Sequence, residues 1–552
     1  MPVHPHHTVS ARPLVMVLAG WLLMLVGLTG MTPARAQSDA AAAAPTQRRV
    51  PVEQFEIVGN SLLDPAELQA AVAPFKGQRS LDELRQAAAA VQARYREHGY
   101  GAVVAYLPAQ DIQDGRIRIS VLEGRLAQIV VSGNQRFSEA NVRRSLPGLQ
   151  AGVTPRVREL DTQIRLANEN PARKIALTLE PGAAPGQVDA QVLVTEQSPR
   201  RWTLGLDNTG NTRTGRWRAS LAYQDVALWD LDHQWSLQYQ MAPDKPSAVT
   251  VLGLGYRMPL YRPGLLLDGF AGYSDVDGGV TSTAAGPLQF SGRGRLWSLR
   301  VTDLLQRHGE IDQRIALSLN ERTYLNDCGI AGLPAGVCGP AGASVTVRPL
   351  ALEYSLQRDR AGSLGFSSVL SHNFGWGGTR ASQADFDAAR SGAAQRYTTL
   401  RLDAAAALPL RAWQWQTRLG GQWSAQALVP GEQFGIAGMN AVRGYEEREL
   451  IGDRAAFVAL ELYGPPWQPD WLGSAGGGLR PLVFADAGRV WNRLDTPCLD
   501  TRSVCSLASV GLGGRFSVAG VQLRLDLAHA LRPATRTARG DNRVHVLASY
   551  GF

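Results

Sequence analysis

Two short motifs near the C-terminus carry the residues of this chain that are best suited to act together. They are Val442, Arg443, Gly444 and Tyr445 in a polar stretch, and Phe484, Asp486 and Gly488 at alternate positions of a later segment. Arg443 offers a planar fork of N–H donors, and Asp486 offers a carboxylate that fits such a fork. A buried arginine needs a carboxylate partner. These residue types predict an ion pair and do not require catalysis.

Motifs of enzymes and of metal sites are missing from the sequence. It contains no G-x-x-x-x-G-K-[ST] nucleotide loop and no G-x-S-x-G nucleophile motif. Six histidines lie beyond the N-terminal segment and none is in an H-E-x-x-H context; they are His98, His233, His308, His372, His529 and His545. We therefore expect no enzymatic activity, no cofactor and no metal.

Apolar and polar residues alternate around both motifs and throughout residues 200–552. Trp202, Leu204 and Leu206 fall on one face of a strand, and the intervening residues fall on the other. The same alternation recurs at 217–224, 235–241, 413–423 and 521–527. One face suits lipid and the other suits water, as in a transmembrane β-barrel. A soluble β-sandwich would also alternate, but it would rarely place so many tryptophans near strand ends, where a barrel has aromatic girdles.

The length of this region sets the size of the barrel. At about 22 residues for a strand and its connection, residues 200–552 predict an antiparallel barrel of about sixteen strands, an even number as such barrels require. Closure of the barrel leaves no strand edge whose backbone N–H and C=O groups would lie unpaired in lipid. The last nine residues alternate and end at Phe552, which suits recognition by barrel-assembly machinery.

A repeated α+β module precedes the barrel. Residues 55–60 and 129–134 share a strand and turn pattern that ends in Gly-Asn, and each copy continues in the order β-α-α-β-β. We place the first module at 51–124 and the second at 125–198, with the barrel from 199. Ser80 and Glu83 form a predicted capping box for the longer helix of the first module. An exposed edge strand can accept an extended peptide; the alternative is that both modules are spacers.

The N-terminal 36 residues resemble a signal peptide. An apolar run at 14–31 follows Arg12 and precedes Ala34, Arg35 and Ala36, which form an A-x-A cleavage signature. The alternative is an uncleaved anchor helix. Cleavage removes two arginines and no acid, so the net charge of +8 becomes +6, which gives no reason to expect nucleic acid. Residues 37–50 form a predicted flexible lead.

The four cysteines form two local pairs, Cys328 with Cys338 and Cys498 with Cys505. Export to an oxidising compartment favours a disulfide in each pair. Each would constrain a loop of about ten residues by roughly 2 to 3 kcal/mol. The alternatives are unpaired cysteines or a metal site, and the lack of a nearby histidine or a C-x-x-C spacing disfavours the metal.

With these elements in order, the chain resembles the two-partner secretion transporters of the outer-membrane insertase superfamily. Its modules are similar to POTRA (polypeptide-transport-associated) domains, notably at 99–108 and 121–124. Asp207, Asn208 and Gly210 match the family's first-strand motif. Residues around 432–453, including Arg443, are similar to its sixth extracellular loop, and Phe484, Asp486 and Gly488 match its F-x-D-x-G strand. The resemblance covers essentially everything after residue 50.

The resemblance implies an outer-membrane protein of a Gram-negative bacterium with its POTRA domains in the periplasm. Such a monomer captures the secretion domain of a large β-rich exoprotein (an adhesin, haemolysin or toxin) and exports it unfolded without ATP. Its loop folds into the barrel and sets Arg443 against Asp486, and removing either residue should cost about 3 to 5 kcal/mol locally. This pair either pins the loop for stability or forms part of the conduit wall.

The number of POTRA domains separates the family alternatives. Barrel-assembly insertases share the loop motif but usually carry three or more POTRA domains, and a plain porin needs none.

Well-known secretion transporters also carry an N-terminal helix that plugs the pore. Only about fourteen residues separate the predicted cleavage site from the first module, so we expect that helix to be reduced or absent.

Overall fold

The computed structural model describes residues 49–552 except 113, 213, 284–285, 326–342, 361 and 469–476, and it describes the backbone alone in the rest of 276–292. The predicted signal peptide, nearly all of the predicted flexible lead and the Cys328–Cys338 pair lie outside these residues, as does the N-terminal segment for which we expect a reduced or absent plug helix. Among the described residues, no helix is long and apolar enough to cross a membrane.

The first module folds as a three-stranded sheet covered by two helices. Its elements are β1 Val50–Val52, β2 Gln54–Val58, α1 Pro65–Val72, β3 Gly77–Arg79, α2 Leu81–Glu97, β4 Val103–Tyr106 and β5 Arg116–Glu123. The sheet order is β2-β5-β4, with β2 and β5 parallel, while β1 and β3 form a separate antiparallel pair. The predicted capping box is present: Ser80 accepts from the Glu83 N–H and the Glu83 side chain accepts from the Ser80 N–H. Phe55, Tyr95 and Ile117 are fully buried in the core.

The second module repeats this arrangement. Its elements are β6 Arg125–Ser132, α3 Glu139–Ser145, α4 Val157–Ala167, β7 Arg173–Pro181 and β8 Gln187–Glu196, with sheet order β6-β8-β7. The repeated Gly-Asn signature has a steric cause. Gly59 and Gly133 both have positive φ, and a Cβ there would lie 2.3 Å from the Val121 carbonyl oxygen and 2.2 Å from that of Val194, respectively.

In both modules, a glutamate near the end of the last strand accepts hydrogen bonds from the turn that follows the first strand of the three-stranded sheet. Glu123 accepts hydrogen bonds from the N–H groups of Ser61 and Leu62 at 2.6 and 3.0 Å. In the second module, Glu196 accepts from the N–H of Arg136 at 2.6 Å. Burial opposes ionisation of Glu123, but the hydrogen bonds from Ser61 outweigh it and lower the pKa of this carboxyl.

The remaining chain forms a closed antiparallel barrel, as predicted. Its first eight strands are β9 Arg200–Asp207, β10 Arg218–Leu228, β11 His233–Met241, β12 Thr250–Leu260, β13 Leu265–Thr283, β14 Gly286–His308, β15 Ile311–Leu325 and the interrupted pair β16 Val345–Val347 with β17 Pro349–Arg358. The other eight are β18 Ser363–Asn373, β19 Tyr397–Leu410, β20 Trp413–Ser424, β23 Arg454–Tyr463, β24 Gly478–Trp491, β25 Val504–Val518, β26 Val521–Ala530 and β27 Asn542–Gly551. Both β16 and β17 pair with β15, so they form one strand broken at Arg348 and the barrel has sixteen strands.

The alternation seen in the sequence sorts side chains between the two surfaces of the barrel. Trp202, Leu204 and Leu206 are 41, 46 and 41% exposed on the outer surface. Trp413 and Trp423, at opposite ends of β20, are exposed as well. This placement gives the outer wall an apolar band with tryptophans at its borders, which is the surface that lipid requires.

The second module packs directly against the turns at one end of the barrel. Arg173 donates to Asp232 at 2.8 Å, and neither side chain is accessible to more than 1%. Tyr261 donates to the same carboxylate at 2.6 Å. Glu169 accepts a bidentate pair of hydrogen bonds from Arg314, at 2.9 and 2.7 Å. These contacts hold the second module at this end of the barrel. The loops described below lie at the opposite end.

Candidate functional site in the barrel lumen

The loop between β20 and β23, residues 425–453, enters the barrel and is called the lumen loop below. Within this loop, two strands of two residues each, β21 Phe434–Gly435 and β22 Ile451–Gly452, pair with each other. Ile436, Val442 and Tyr445 are completely buried, and they pack with residues of β24, β25 and β26 in one apolar cluster. The lumen loop therefore has a core of its own against one wall of the barrel.

Arg443 is 1% exposed and lies at the centre of this contact. Its Nε and Nη2 atoms donate to the two oxygens of Asp486 on β24, both at 2.7 Å, and its backbone N–H donates to Asp486 Oδ2 at 3.1 Å. Its Nη1 atom donates to Glu461 of β23 at 2.5 Å. The guanidinium carbon lies 3.5 Å from the centre of the Phe484 ring. One side chain thus joins the lumen loop to two barrel strands through charge-assisted bonds.

The charges near Arg443 form a network. Asp526 of β26 lies 3.6 Å from Arg443 and accepts from Arg515 and Arg524, both at 2.7 Å. Arg515 also lies 3.5 Å from Glu461. With Asp486, three carboxylates face these three arginines, and a fourth arginine, Arg418 of β20, lines the same cavity as they do.

The small residues of the two motifs make room for this arrangement. Gly444 has φ +93°, a region that other residues rarely adopt, and its N–H donates to His545 Nε2 at 2.9 Å. A Cβ on Gly488 would lie 2.9 Å from the Ile436 Cδ1 atom and 3.0 Å from the Val442 Cγ2 atom. Gly488 therefore provides the space in the wall that the lumen loop fills.

Tyr445 completes the contact from the other side. Its hydroxyl lies 2.9 Å from the carbonyl oxygen of Ala508 and 2.8 Å from that of Arg532. Each residue of the two motifs therefore has its own part in the contact between the lumen loop and the wall. Arg443 pairs with Asp486 and stacks on Phe484. Gly444 and Gly488 allow the loop and the wall to approach closely, and Val442 and Tyr445 fill the space between them.

Two further ion pairs hold the base of the lumen loop, and sequence reasoning did not identify them. Glu432 accepts from Arg322 of β15 at 2.7 and 2.8 Å. Asp453, fully buried, accepts from Arg390 at 2.6 and 2.9 Å. The sequence showed Asp453 in the loop motif but gave no sign of its partner, which follows α5 Gln383–Ala389 in another loop.

Glu461, Asp526 and His545 were also missed as partners of the motifs. Alternation did contain a signal for Glu461, because it shares an inward-facing parity with Ala459 on β23, opposite Phe484 on the neighbouring strand. No pattern in the sequence specifies which inward residues of different strands lie level with one another.

The lumen is open on the side away from the Arg443 contact. A cavity of about 570 Å³ lies between the lumen loop and the wall formed by β13 to β19. Its lining mixes polar groups, including Ser298, Asn320, Ser371 and Arg401, with apolar side chains such as Phe270, Val369 and Phe457. The lumen loop thus narrows the barrel but leaves a cavity along one wall.

The first-strand motif lies where the barrel closes between β9 and β27, and the two β27 residues that Asn208 contacts flank His545, which accepts from the Gly444 N–H. Asp207 accepts from the Thr209 N–H at 2.9 Å, and the N–H of Gly210 donates to the Arg216 carbonyl at 3.2 Å. The Asn208 side chain contacts the backbone of Val544 and Val546 in β27. The motif therefore shapes a turn at the seam of the barrel.

A disulfide joins Cys498, in the loop between β24 and β25, to Cys505 near the start of β25. Cys505 belongs to the same apolar cluster as Val442 and Tyr445. In this loop the N–H of Arg493 donates to Asp453 at 2.7 Å. The cross-linked loop thus supports the base of the lumen loop from outside.

Comparison with known proteins agrees with this architecture. Residues 50–124 match the ShlB-type POTRA domain. The chain is 24% identical over 425 residues to the outer membrane transporter CdiB of Dickeya dadantii (strain 3937), covering 75% of this chain and 71% of that protein. It is 25% identical over 533 residues to the hemolysin transporter protein ShlB of Serratia marcescens, covering 94% and 88%. The solved structure of CdiB from Escherichia coli superposes with a TM-score of 0.74 at 19% identity and 93% coverage of both chains, which shows the fold.

The family match distinguishes the chain from barrel-assembly insertases. Residues 186–516, more than half of the sequence, match the model of the haemolysin secretion/activation protein ShlB/FhaC/HecB. This match favours a secretion transporter over the insertase alternative, and it places the barrel in the outer membrane with the POTRA domains in the periplasm. The chain therefore belongs to the ShlB/FhaC/HecB haemolysin secretion/activation family, the outer-membrane transporters of two-partner secretion.

Proposed function

We propose that this chain exports a large β-rich partner protein, unfolded, along the wall formed by β13 to β19, while the lumen loop is held against the opposite wall. The observation that carries the proposal is the cavity of about 570 Å³ beside a loop that is anchored through Arg443. The hydroxyl, amide and charged groups on its wall offer an extended chain replaceable hydrogen bonds.

In this proposal the Arg443–Asp486 pair has a functional role beyond barrel stability, because it holds the lumen loop clear of the passage. The free energy for export comes from folding of the partner outside the cell, where burial of its apolar surface opposes return. The partner is an adhesin, haemolysin or toxin in chemical character, and the exporter acts as a monomer inserted by the barrel-assembly machinery. No catalytic step is required.

We further propose that the edge of β4 in the first module receives an extended segment of the partner. Val104 and Tyr106 on this strand are 50 and 42% exposed. The outward N–H of Ala105 has one protein acceptor, the Gln92 side chain, at 3.4 Å. By contrast, the β7 edge of the second module is closed, since Asn168 bonds both the N–H and the carbonyl of Ile175 at 2.7 and 3.1 Å. A weakly covered edge favours strand addition.

The edge proposal is tested by Ala105→Pro, which removes the outward donor while Pro remains tolerable on an edge strand. Ala105→Gly is the control, because it keeps the N–H. We expect secretion of the partner to fall with Pro and to persist with Gly, at equal amounts of barrel in the membrane. Equal secretion by both variants would contradict the proposal that the partner binds at the β4 edge.

The passage is tested by cross-linking a stalled partner to single cysteines. Ser298→Cys faces the cavity, whereas Leu299→Cys on the same strand is 54% exposed to lipid. We expect adducts with the partner from position 298 and none from 299. Deletion of the gene should in addition leave the partner in the periplasm. Adducts from 299 alone, or undiminished secretion after deletion, would contradict the proposal.

The domain boundaries also remain proposals: a signal peptide at 1–36, a lead at 37–50, POTRA domains at 51–124 and 125–198, and the barrel at 199–552. The N-terminus of the mature protein, determined by mass spectrometry of purified outer membranes, tests the first of these. A mature chain that retains residues 14–31 would indicate an anchor helix instead.

A further inference from the structure

The barrel closes along a short seam. Five residues of β27, from Leu547 to Gly551, pair with residues of β9, whereas nine residues of β27 pair with β26 on its other side. At the end near the second module, Trp202 and Phe552 exchange backbone hydrogen bonds at 2.9 and 3.1 Å, which adds one more pair. The opposite end of the seam depends on the residues after Asp207, the last residue of β9.

Asn208 continues the seam with its side chain after the backbone of β9 has turned away. Its backbone N–H still donates to the Val546 carbonyl at 3.2 Å. The Val546 N–H donates to the Asn208 side-chain oxygen at 2.9 Å, and the Asn208 Nδ2 donates to the Val544 carbonyl at 2.7 Å. A side-chain amide has the same donor and acceptor as a peptide group. Asn208 therefore supplies two bonds of the ladder that the backbone no longer provides.

The rest of the motif explains why the backbone turns away. The Asp207 carboxylate accepts from the Thr209 N–H, which bends the chain directly after the strand. The Gly210 N–H, two residues beyond Asn208, donates to Arg216 within the turn and is not available to β27. A Cβ on Gly210 would lie 2.1 Å from the Gly215 carbonyl oxygen. The turn is therefore compact, and without the amide it would leave Val544 and Val546 with unpaired edge groups.

We propose that Asn208 is a clasp that keeps the barrel closed sideways while a chain passes through it. Unpaired backbone groups at a lipid boundary are unfavourable, and a frayed edge is a template for another strand. A conduit for an unfolded β-rich chain is exposed to that hazard from its own cargo. This role rests on the proposed export path, but closure of the seam can be measured without any partner.

Closure is tested by hydrogen exchange of the Val546 amide in the full-length protein in detergent or nanodiscs. We expect Asn208→Ala to speed this exchange about tenfold or more, the effect of losing one hydrogen bond and its neighbour. Asn208→Asp keeps the acceptor for Val546 but sets a carboxylate oxygen against the Val544 carbonyl, so it should also loosen the seam. Asn542→Ala is the control, because Asn542 contacts His529 on the β26 side of β27. Unchanged exchange in both Asn208 variants would overturn the clasp.

A covalent lock tests whether closure is how Asn208 serves export. Gly205 and Ser549 are opposed across the seam on the side nearer to Asn208, and the atom closest to a Cβ at 205 is the Ser220 hydroxyl oxygen. A disulfide between Gly205→Cys and Ser549→Cys in the Asn208→Ala variant should restore both slow exchange and secretion of the partner, and reduction of the disulfide should abolish both. An oxidised lock that restores slow exchange without secretion would show that Asn208 acts on the cargo by another route.

Discussion

Replacement of Arg443 by alanine should release the lumen loop, and the structure gives the size of the effect. Arg443→Ala leaves Asp486, whose side chain is fully buried, with only the backbone N–H of residue 443 at 3.1 Å. It also removes the stacking on Phe484 and the bond to Glu461. Breaking a buried pair in this way costs about 3 to 5 kcal/mol, so we expect a loss of about 4 kcal/mol in the free energy that holds the loop in place.

Asp486→Ala should be the milder change, although it breaks the same pair. The guanidinium keeps Glu461 at 2.5 Å and has Asp526 at 3.6 Å, so it still has counter-charges. Hydrogen bonds to charged groups contribute about 1.5 to 3 kcal/mol each, and the remaining carboxylates recover part of this. We expect a loss of about 2 to 3 kcal/mol. Arg443→Lys should fall between the two, since an ammonium cannot form the bidentate fork.

The measurement is hydrogen exchange of the Gly444 amide, which donates to His545 in the closed loop. A loss of about 4 kcal/mol corresponds to roughly a thousandfold faster exchange through local opening. Secretion of the partner is measured in parallel, with Arg360→Ala as the control because Arg360 is 82% exposed and pairs with Glu310, far along the chain from the lumen loop. If Asp486→Ala opens the loop more than Arg443→Ala does, or if neither changes exchange by tenfold, the assignment of charges is wrong.

The remaining predictions concern single contacts. Gly488→Val should push the lumen loop from the wall and speed Gly444 exchange, whereas Gly365→Val, at a position with open space, should not. Cys498→Ser should raise protease sensitivity of the loop at 492–503 without loss of the heat-modifiable barrel. The pKa of Glu123 is lower in the folded protein than in the unfolded chain. The stability that its carboxylate gives the first module is therefore complete above the unfolded pKa of about 4.3 and is lost as pH falls through the folded pKa. Glu123→Gln should remove that acid dependence from amide exchange in the first module.

The fold followed from local signals, since each strand and helix is specified by its own residues. Alternation placed Trp202 outside, and the capping box at Ser80 marked the start of α2. The break at Arg348 was not foreseen, because a one-residue interruption of a strand leaves alternation on both sides intact. The strand number followed from length because short turns at the end near the modules offset long loops such as 425–453 at the other end.

The site was only half accessible from sequence. The motif around Arg443 pointed to Asp486, yet the bidentate partner of Asp453 is Arg390, 63 residues away in a loop of unrelated pattern. Contacts of this kind depend on the height at which two strands or loops face each other. Parity says which side of a strand a residue faces, but the register between distant strands is set by the closed barrel as a whole.

The positions of the ion pairs explain why the lumen loop lies on one side of the barrel. The apolar cluster and the Arg443 network lie on β23 to β27, whereas β15 contacts the base of the loop, where Arg322 and Tyr324 both donate to Glu432. On the export path proposed above, we expect a loop held by its base and by one wall to swing from that wall without unfolding its ends. Asp453, held by Arg390 and by the backbone of Arg493, would be the pivot of that movement, and Arg443 would set how firmly the loop stays on the wall.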